Sequence, residues 1–277
     1  MIKGDTRVHS LYGSPVAHSL SPVIFNTTFQ KLSLNRAYLP FEVSRDNLKQ
    51  AVEAARTLGF DGFNVTMPHK TGIIEMLDRL DKTAEKIGSV NTVATTKSGL
   101  AGYNTDGEGA IRALRSYGLE PNNKRILVLG AGGAAQALVH RLSADNNTVS
   151  ILNRTLDKAR QIADKATGPG KTSYGELTKN SLEIGIEDAD LLVNATPIQT
   201  STLMSQLRIP VNRVKDTGWV FDLAYDMPAE PIGRRTISPL EMLVHQAALS
   251  YEIWLNETGP FALMRSSLVD YLGKDWK

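Results

Sequence analysis

The fold is decided by the stretch Arg125-Ile126-Leu127-Val128-Leu129-Gly130-Ala131-Gly132-Gly133-Ala134-Ala135. Apolar residues run into a glycine turn, a helical pattern follows at 136–142, and a second apolar strand is expected at 148–153. Strand, glycine turn, helix and strand within about 30 residues are typical of the dinucleotide-binding βαβ unit. Gly130 allows the tight turn, Gly132 lets backbone N–H groups approach a pyrophosphate, and Ala135 is small enough for close helix packing. The helix N-terminus favours the phosphates, although a lone glycine turn can also serve packing alone.

The end of the second strand predicts the cofactor. In NAD sites an acidic residue about 20 residues after the glycines accepts from the ribose 2′-OH. Here Asn153, Arg154 and Thr155 occupy that place, and Lys158 follows one turn later. A guanidinium can meet a 2′-phosphate with two parallel hydrogen bonds, so we predict NADP. The alternative is an ordinary surface arginine at a helix start.

Composition excludes several classes of function. The charge balance of 31 − 29 = +2 gives no reason to expect nucleic acid or an anionic membrane as a partner. The absence of cysteine excludes disulfides, thiolate catalysis and cysteine-ligated metals, and the five histidines show no metal-binding spacing. Without a signal-peptide pattern or an apolar run of membrane-spanning length, we expect a soluble cytoplasmic protein that needs no metal.

Alternating strands and helices predict an α/β protein with mostly parallel sheets and two domains. We expect an N-terminal α/β substrate-binding domain at 1–105 and a Rossmann-type, doubly wound NADP domain at 106–238, with the chemistry in the cleft between them. The helical residues 239–277 are expected to pack back onto the first domain. Ser21, directly before Pro22, is predicted to cap the first helix.

Polar clusters occur at the predicted strand ends and helix starts. Ser19 and Ser21 at a helix start can donate to a carboxylate, and Lys70 after the third strand can transfer a proton. Asp106 can cap a helix or pair with Lys70. Each cluster also has a purely structural interpretation, as a helix cap, a solvated lysine in a loop or a turn that ends a strand. His69 is expected to be structural or solvent-facing.

Taken together, the clusters resemble the shikimate dehydrogenase family, in the family's order over nearly the whole chain. The matching motifs are Ser19-Leu20-Ser21-Pro22, Asn64-Val65-Thr66-x-Pro68-x-Lys70, Gly88-Ser89-Val90-Asn91-Thr92, Gly102-Tyr103-Asn104-Thr105-Asp106-Gly107, Gly130-Ala131-Gly132-Gly133-Ala134, Asn153-Arg154-Thr155, Asn194-Ala195-Thr196-Pro197 and Met242-Leu243-x-x-Gln246-Ala247.

The resemblance implies NADPH-dependent, reversible reduction of 3-dehydroshikimate to shikimate in aromatic amino acid biosynthesis, by a monomer or homodimer. It implies Lys70 and Asp106 as the catalytic pair. The implied substrate-binding residues are Ser19, Ser21 and Tyr225 for the carboxylate and Asn64, Thr66, Asn91 and Gln246 for the ring hydroxyls. The implied cofactor-binding residues are Gly130, Ala131, Gly132, Gly133, Ala134, Asn153, Arg154, Thr155, Lys158, Thr196 and Met242.

The chain departs from the family pattern at three places. Ile198-Gln199 stands where the family usually has a glycine, Ser238-Pro239-Leu240-Glu241 replaces a glycine-rich turn, and Pro228 is followed by Ala229-Glu230. Two alternatives stay open: a quinate/shikimate dehydrogenase, which often prefers NAD, and a non-catalytic dinucleotide-binding regulator. Arg154 argues against the first, and the retained Lys70 and Asp106 argue against the second.

Overall fold

The chain folds into two compact α/β units. The computed structural model describes residues 2–214, 218–224, 232 and 235–273. The first unit comprises residues 1–105 and 243–277, and the second comprises residues 106–242.

The first unit is built on a six-stranded sheet with the order β2-β1-β3-β5-β6-β4. Its strands are β1 (Arg7–Gly13), β2 (Arg36–Glu42), β3 (Gly62–Val65), β4 (Arg79–Leu80), β5 (Thr92–Thr96) and β6 (Gly99–Tyr103). Its first helices are α1 (Ser21–Lys31), α2 (Leu48–Thr57) and α3 (Lys82–Ile87), with a 3-10 helix at Gly72–Met76. The strands are mostly parallel, as predicted, with β5 as the exception, because it runs antiparallel to both β3 and β6.

Both faces of this sheet are covered. On one face, Phe63 and Val65 pack with Val52 of α2 in a buried apolar cluster. On the other, Phe25 of α1 stacks on Tyr38 with ring centroids 4.6 Å apart and contacts Trp254 at 5.2 Å. Alternate residues of a strand point to opposite faces, which is why neighbouring residues of one strand serve two cores.

The second unit contains an all-parallel sheet with the order β12-β11-β10-β7-β8-β9. Its strands are β7 (Arg125–Leu129), β8 (Thr148–Asn153), β9 (Lys171–Glu176), β10 (Leu191–Asn194), β11 (Trp219–Asp222) and β12 (Arg235–Ile237). Its helices are α4 (Asp106–Ser116), α5 (Gly133–Ser143), α6 (Leu156–Lys165), α7 (Lys179–Asp188) and α8 (Thr200–Gln206), with a 3-10 helix at Val211–Arg213.

Helices cover both faces of this second sheet. Ile126 and Val128 face the cluster formed with α4, α5 and α6, whereas Leu127 and Leu129 face the cluster formed with α7 and α8. This alternation along β7 is what a doubly wound sheet requires. The predicted fold class of two α/β units, with a Rossmann-type second unit, is therefore confirmed.

Two C-terminal helices complete the chain, α9 (Pro239–Leu255) and α10 (Phe261–Leu272). The border between the units, at Met242 and Leu243, falls inside α9. At the other end of the chain, the prediction that Ser21 caps α1 is wrong. Ser21 is the first residue of the helix, and its N–H donates to the Ser19 hydroxyl at 3.3 Å. The hydroxyl that accepts from the N–H of the first helical residue therefore belongs to Ser19 and not to Ser21.

Candidate functional site

Polar residues gather at one edge of the sheet of the first unit. The parallel strands β1 and β3 end there, β6 ends there, and the antiparallel β5 begins there, since Asn64 pairs with Thr92 and Thr92 with Tyr103. The polar segments that follow β3 and β6, and the one that precedes β5, therefore meet although they are distant in sequence. This edge brings together the predicted residues Asn64, Asn91 and Gln246.

Asn91 lies at the centre of the cluster. Its Oδ1 accepts from the Thr105 backbone N–H at 2.9 Å, and its Nδ2 donates to the Thr105 hydroxyl at 2.8 Å. A longer contact of 3.4 Å joins Nδ2 to Oε1 of Gln246, which comes from α9. The Asn91 side chain is 3% exposed, so these bonds fix the orientation of its amide.

Asn64 lies deeper in the same network. The Tyr38 hydroxyl donates to its Oδ1 at 2.8 Å, and its Nδ2 lies 3.0 Å from the Thr92 hydroxyl and 3.2 Å from the Ser250 hydroxyl. The hydroxyls of Thr92 and Ser250 are themselves 2.9 Å apart. The Asn91 carbonyl, at 3.0 Å, is a third acceptor, so the Asn64 amide nitrogen has more acceptors around it than it has protons and is committed to the protein interior.

The backbone on both sides of Lys70 is anchored. The Lys70 carbonyl accepts from the Val90 N–H at 2.8 Å, next to Asn91. The preceding residue, His69, is buried, and its Nε2 is 2.7 Å from the Val43 carbonyl. His69 is therefore structural, which was one of its two predicted roles. The Lys70 side chain starts from a fixed position at the polar edge.

The remaining predicted substrate residues sit on either side of this network. Thr66 is partly buried, and its backbone N–H donates to the Tyr12 carbonyl at 2.9 Å. Ser19 and Ser21 follow the carboxyl end of β1, where Ser21 is 7% exposed. Tyr225 lies outside the described residues.

In the second unit, the glycine turn is built as the sequence predicts. Gly130 has a φ of +100°, which only glycine adopts without strain. Gly132 lies directly before α5, and a Cβ placed on it would have no heavy atom within 4 Å, so its backbone is open to a ligand. Ala131, Gly133 and Ala134 complete the turn, and Ala135 is fully buried against the sheet. These features fit a pyrophosphate at the start of α5.

The neighbouring strand end carries the predicted NADP-selective residues. Asn153 turns its Nδ2 onto the Thr155 carbonyl at 2.9 Å, which shapes the loop between β8 and α6. Arg154, Thr155 and Lys158 are exposed. An exposed guanidinium and a hydroxyl at the end of β8 suit a 2′-phosphate, and no carboxylate stands at position 153 to accept from a 2′-OH.

A third cluster follows β10. All hydrogen-bonding groups of the Asn194 side-chain amide are engaged. Its Nδ2 donates to the Ile198 carbonyl in the loop and to Asp222 Oδ1 on β11, each at 2.7 Å. Its Oδ1 accepts from the Thr196 N–H at 3.0 Å and from the Thr196 hydroxyl at 2.6 Å. Asp222 also accepts from the Thr200 hydroxyl at 2.6 Å. Burial raises the pKa of the Asp222 carboxyl, and the bonds from Thr200 and Asn194 oppose that rise.

Several predicted residues are divided between the units. Lys70 belongs to the first unit, and Asp106, which is buried at the start of α4, belongs to the second. Met242, which is 8% exposed in the core that faces α4 to α6, likewise belongs to the second unit, four residues before Gln246. The pairing of Lys70 with Asp106 therefore stays a prediction.

Sequence reasoning missed Tyr38, Ser250, Thr200 and Asp222. Ser250 offered a weak signal, because it lies one helical turn after Gln246 on the same face of α9. Thr92 and Thr105 lay inside matched motifs without a role of their own. Tyr38 and Asp222 carried no local signal, since their partners come from other strands.

The described residues form neither a membrane-spanning helix nor a metal-binding cluster. Among the described helices, none has the length and apolar character to cross a bilayer. Within the same described part of the chain, no three His, Asp or Glu side chains converge on a point that could hold a metal ion.

Fold and site together define a class of protein. The second unit is a Rossmann-type domain with a glycine turn before α5 and an exposed arginine after β8, and the first presents lysine, amides and hydroxyls at a sheet edge. This combination is typical of a two-domain, NADP-dependent dehydrogenase.

Comparisons with known proteins identify the family. Family models match at residues 11–93 (shikimate dehydrogenase substrate binding domain), 113–230 (shikimate / quinate 5-dehydrogenase) and 240–269 (shikimate 5′-dehydrogenase C-terminal domain). Shikimate dehydrogenase (NADP(+)) of Methanopyrus kandleri is 38% identical and covers 98% of each chain. The chain belongs to the shikimate dehydrogenase family, as its motifs predicted.

Solved structures agree with that assignment. The crystal structure of a shikimate dehydrogenase in complex with NADP+ is 34% identical, with a TM-score of 0.87 over 99% of this chain and 98% of that one. The Listeria monocytogenes shikimate 5-dehydrogenase in complex with shikimate and NAD is 31% identical, with a TM-score of 0.87 over 96% and 98% of the two chains.

Proposed function

We propose that this protein catalyses the reversible, NADP-dependent reduction of 3-dehydroshikimate to shikimate. The observation that carries the proposal is the polar edge of the first unit, where Lys70 and Asn91 lie next to the sheet and Gln246 reaches Asn91 from α9. A cyclic acid with several hydroxyls needs such a set of amide and hydroxyl partners. The curated relative from Methanopyrus kandleri bears the name of this activity.

Bound NADPH would supply a hydride to the ring ketone. The chain's own task is then to bind the ring, orient it and deliver a proton to the developing alkoxide. Lys70 Nζ is the proposed proton donor, because an ammonium at the end of an anchored backbone can both bind the ketone oxygen and protonate it. Asp106 is the proposed anionic partner that orients Lys70, and in the reverse direction the same lysine takes the proton back.

The other residues are assigned to binding. Ser19, Ser21 and Tyr225 are proposed to bind the carboxylate, and Asn64, Thr66, Asn91 and Gln246 to hold the ring hydroxyls. Asn64 has only its Oδ1 side available, because its Nδ2 is committed to Thr92 and Ser250. The phosphates of NADP would lie on the turn from Gly130 to Ala134, and the 2′-phosphate against Arg154 and Lys158.

The assignment of the units follows from these roles. We propose residues 1–105, together with the C-terminal helices from residue 239, as the substrate-binding domain and residues 106–238 as the NADP domain. The cytoplasmic location and the choice between monomer and homodimer stay predictions.

The function is tested by following reduced nicotinamide in an absorbance assay, with shikimate or quinate as substrate and NADP or NAD as cofactor. We expect turnover to be fastest with shikimate and NADP. Faster turnover of quinate with NAD would favour the quinate/shikimate dehydrogenase alternative. Tight NADP binding without turnover of either acid would favour a regulator.

A further inference from the structure

The loop after β10 is tied at both ends to one buried carboxylate. Asp222, the last residue of β11, is 1% exposed. It binds Asn194, which precedes the loop 195–199, at 2.7 Å, and the hydroxyl of Thr200, which follows it, at 2.6 Å. The Thr200 N–H adds a contact of 3.2 Å. The two ends of the loop are therefore held in place by hydrogen bonds to Asp222 of the neighbouring strand β11.

We propose that Asp222 is a positioning residue that holds the loop 195–199 for the nicotinamide half of NADP. The proposal rests on the proposed function, because it takes NADP as the cofactor. Asp222 itself acts through Asn194 and Thr200, so it is not assigned a contact with the reacting atoms.

The order of the strands assigns the loop to the nicotinamide half. The glycine turn follows β7, which has β8 on one side and β10 on the other. Arg154 follows β8, so a dinucleotide whose 2′-phosphate meets Arg154 has its adenosine on that side. A dinucleotide crosses the switch point of such a sheet at the glycine turn. Its other half must therefore extend over the end of β10, where the loop 195–199 begins.

The loop also packs directly on the glycine turn. A Cβ placed on Gly130 would lie 3.0 Å from the backbone carbonyl of Ala195 and 3.2 Å from the Thr196 nitrogen. The loop backbone can lie this close to the turn because Gly130 has no Cβ. A change in the loop's conformation would therefore alter the surface between the glycine turn and the end of β10, where the nicotinamide half of the cofactor is proposed to bind.

This chain has a particular need for side-chain support at the loop. Ile198-Gln199 stands where the family pattern usually has a glycine, so the loop is larger than that pattern provides. The Ile198 side chain packs against the cluster formed with α7 and α8, and its carbonyl accepts from Asn194 Nδ2 at 2.7 Å. Asp222 completes this set by holding the second proton of the Asn194 amide.

The test compares Thr200→Val with Thr200→Ser. Valine removes the hydroxyl that Asp222 accepts from, whereas serine keeps it. Binding of NADP and of adenosine 2′,5′-bisphosphate, which lacks the nicotinamide half, is measured by calorimetry. We expect Thr200→Val to weaken NADP binding about tenfold and to change binding of the bisphosphate less than about twofold, as one charged hydrogen bond implies. Thr200→Ser should bind NADP like the unmodified protein.

A matched control is Ser143→Ala in the same unit. Ser143 is also buried, but its hydroxyl binds the His140 carbonyl at the end of α5, away from β10. Ser143→Ala should lower the melting temperature without weakening NADP binding more than binding of the bisphosphate. Asp222→Asn, which keeps the shape but not the charge, should repeat the selective loss.

Two outcomes would overturn the inference. One is NADP binding by Thr200→Val within about twofold of the unmodified protein. The other is an equal loss of both ligands, which would make Asp222 a general support of the unit. In either case the unmodified protein would still bind NADP, so the proposed function would stand; failure of the unmodified protein to bind NADP would count against the function itself.

Discussion

Asn91 and Thr105 are joined by a reciprocal pair of hydrogen bonds. The Asn91 amide accepts from the Thr105 backbone at 2.9 Å and donates to the Thr105 hydroxyl at 2.8 Å. The pair ties the start of β5 to the residue directly before Asp106. The same hydrogen bonds therefore hold Asn91, which is proposed to bind the substrate, and the backbone that leads to Asp106, which is proposed to be catalytic.

Removing the hydroxyl from this pair should weaken shikimate binding. Thr105→Val removes the acceptor of the 2.8 Å bond from Asn91 Nδ2, and removing one partner of a buried hydrogen bond costs about 1–3 kcal/mol. We expect the KM for shikimate to rise about tenfold, while the KM for NADP stays within about twofold. Thr105→Ser keeps the hydroxyl and is the matched control. Equal increases in both KM values would indicate a general loss of structure.

Lys70 should matter for turnover more than for binding. Lys70→Ala removes the proposed proton donor, and we expect kcat to fall roughly 10²-fold or more. Asp106→Asn should also lower kcat because the lysine loses its anionic partner. Steady-state kinetics of the two single variants and the double variant test the pair. Effects on log kcat that simply add in the double variant would show that the two residues act independently.

Ser19 and Ser21 should act on the substrate carboxylate. The double variant Ser19→Ala with Ser21→Ala should raise the KM for shikimate by tenfold or more, at about 1.5–3 kcal/mol for each charge-assisted bond. Ser19 also accepts from the Ser21 N–H, so a lower melting temperature is expected as well. An analogue without the carboxylate separates the two effects. If that analogue loses as much affinity as shikimate, the serines serve only the helix.

Arg154 should decide the choice of cofactor. Its exposed guanidinium follows β8, where NADP carries a dianionic phosphate and NAD carries a hydroxyl. Arg154→Ala should weaken NADP binding roughly 10- to 100-fold and leave NAD binding nearly unchanged. The preference of the unmodified protein for NADP should decline with rising salt. A parallel loss of NAD binding would assign Arg154 to the loop or to adenine.

His9 should make the first unit sensitive to acid. It is fully buried on β1, and neither ring nitrogen has a hydrogen-bond partner among the described residues. Burial, aided by the nearby Arg36 charge, lowers the pKa of His9 from its usual 6.5 to about 3. Between pH 6.5 and about 3, His9 is therefore protonated in the unfolded chain but neutral in the folded protein. The stability that the neutral ring provides is complete above pH 6.5 and is lost as the pH falls toward 3.

Chemical denaturation between pH 6.5 and 4.5 measures this loss. We expect the free energy of unfolding to fall by about 1.4 kcal/mol per pH unit across most of that window. His9→Phe should remove that part of the slope. The window stays above the range in which Asp61 titrates, since hydrogen bonds from Arg7 and Arg36 outweigh its burial and lower its pKa. An unchanged slope in His9→Phe would exclude His9 as the source.

The amount that could be predicted differs between the units. In the second, the apolar run of β7 and the glycine turn after it predicted the parallel sheet of a dinucleotide-binding domain, whereas the roles of the turn and of Arg154 in cofactor binding stay predictions. In the first, the alternation of strands and helices was predicted, but no local pattern specified that β5 inserts antiparallel between β3 and β6. That insertion brings Asn91 beside Asn64 and Thr105.

The sequence by itself determined features that depend on neighbours in the chain: the strands β7 and β8, the tight turn at Gly130 between β7 and α5, and the cation that follows β8. Tertiary structure alone decided which distant groups share a hydrogen bond. Asn64 and Ser250 lie 186 positions apart, and Asn194 and Asp222 lie 28 apart on adjacent strands. No local pattern specifies such pairs, because they depend on the order and direction in which the strands assemble into a sheet.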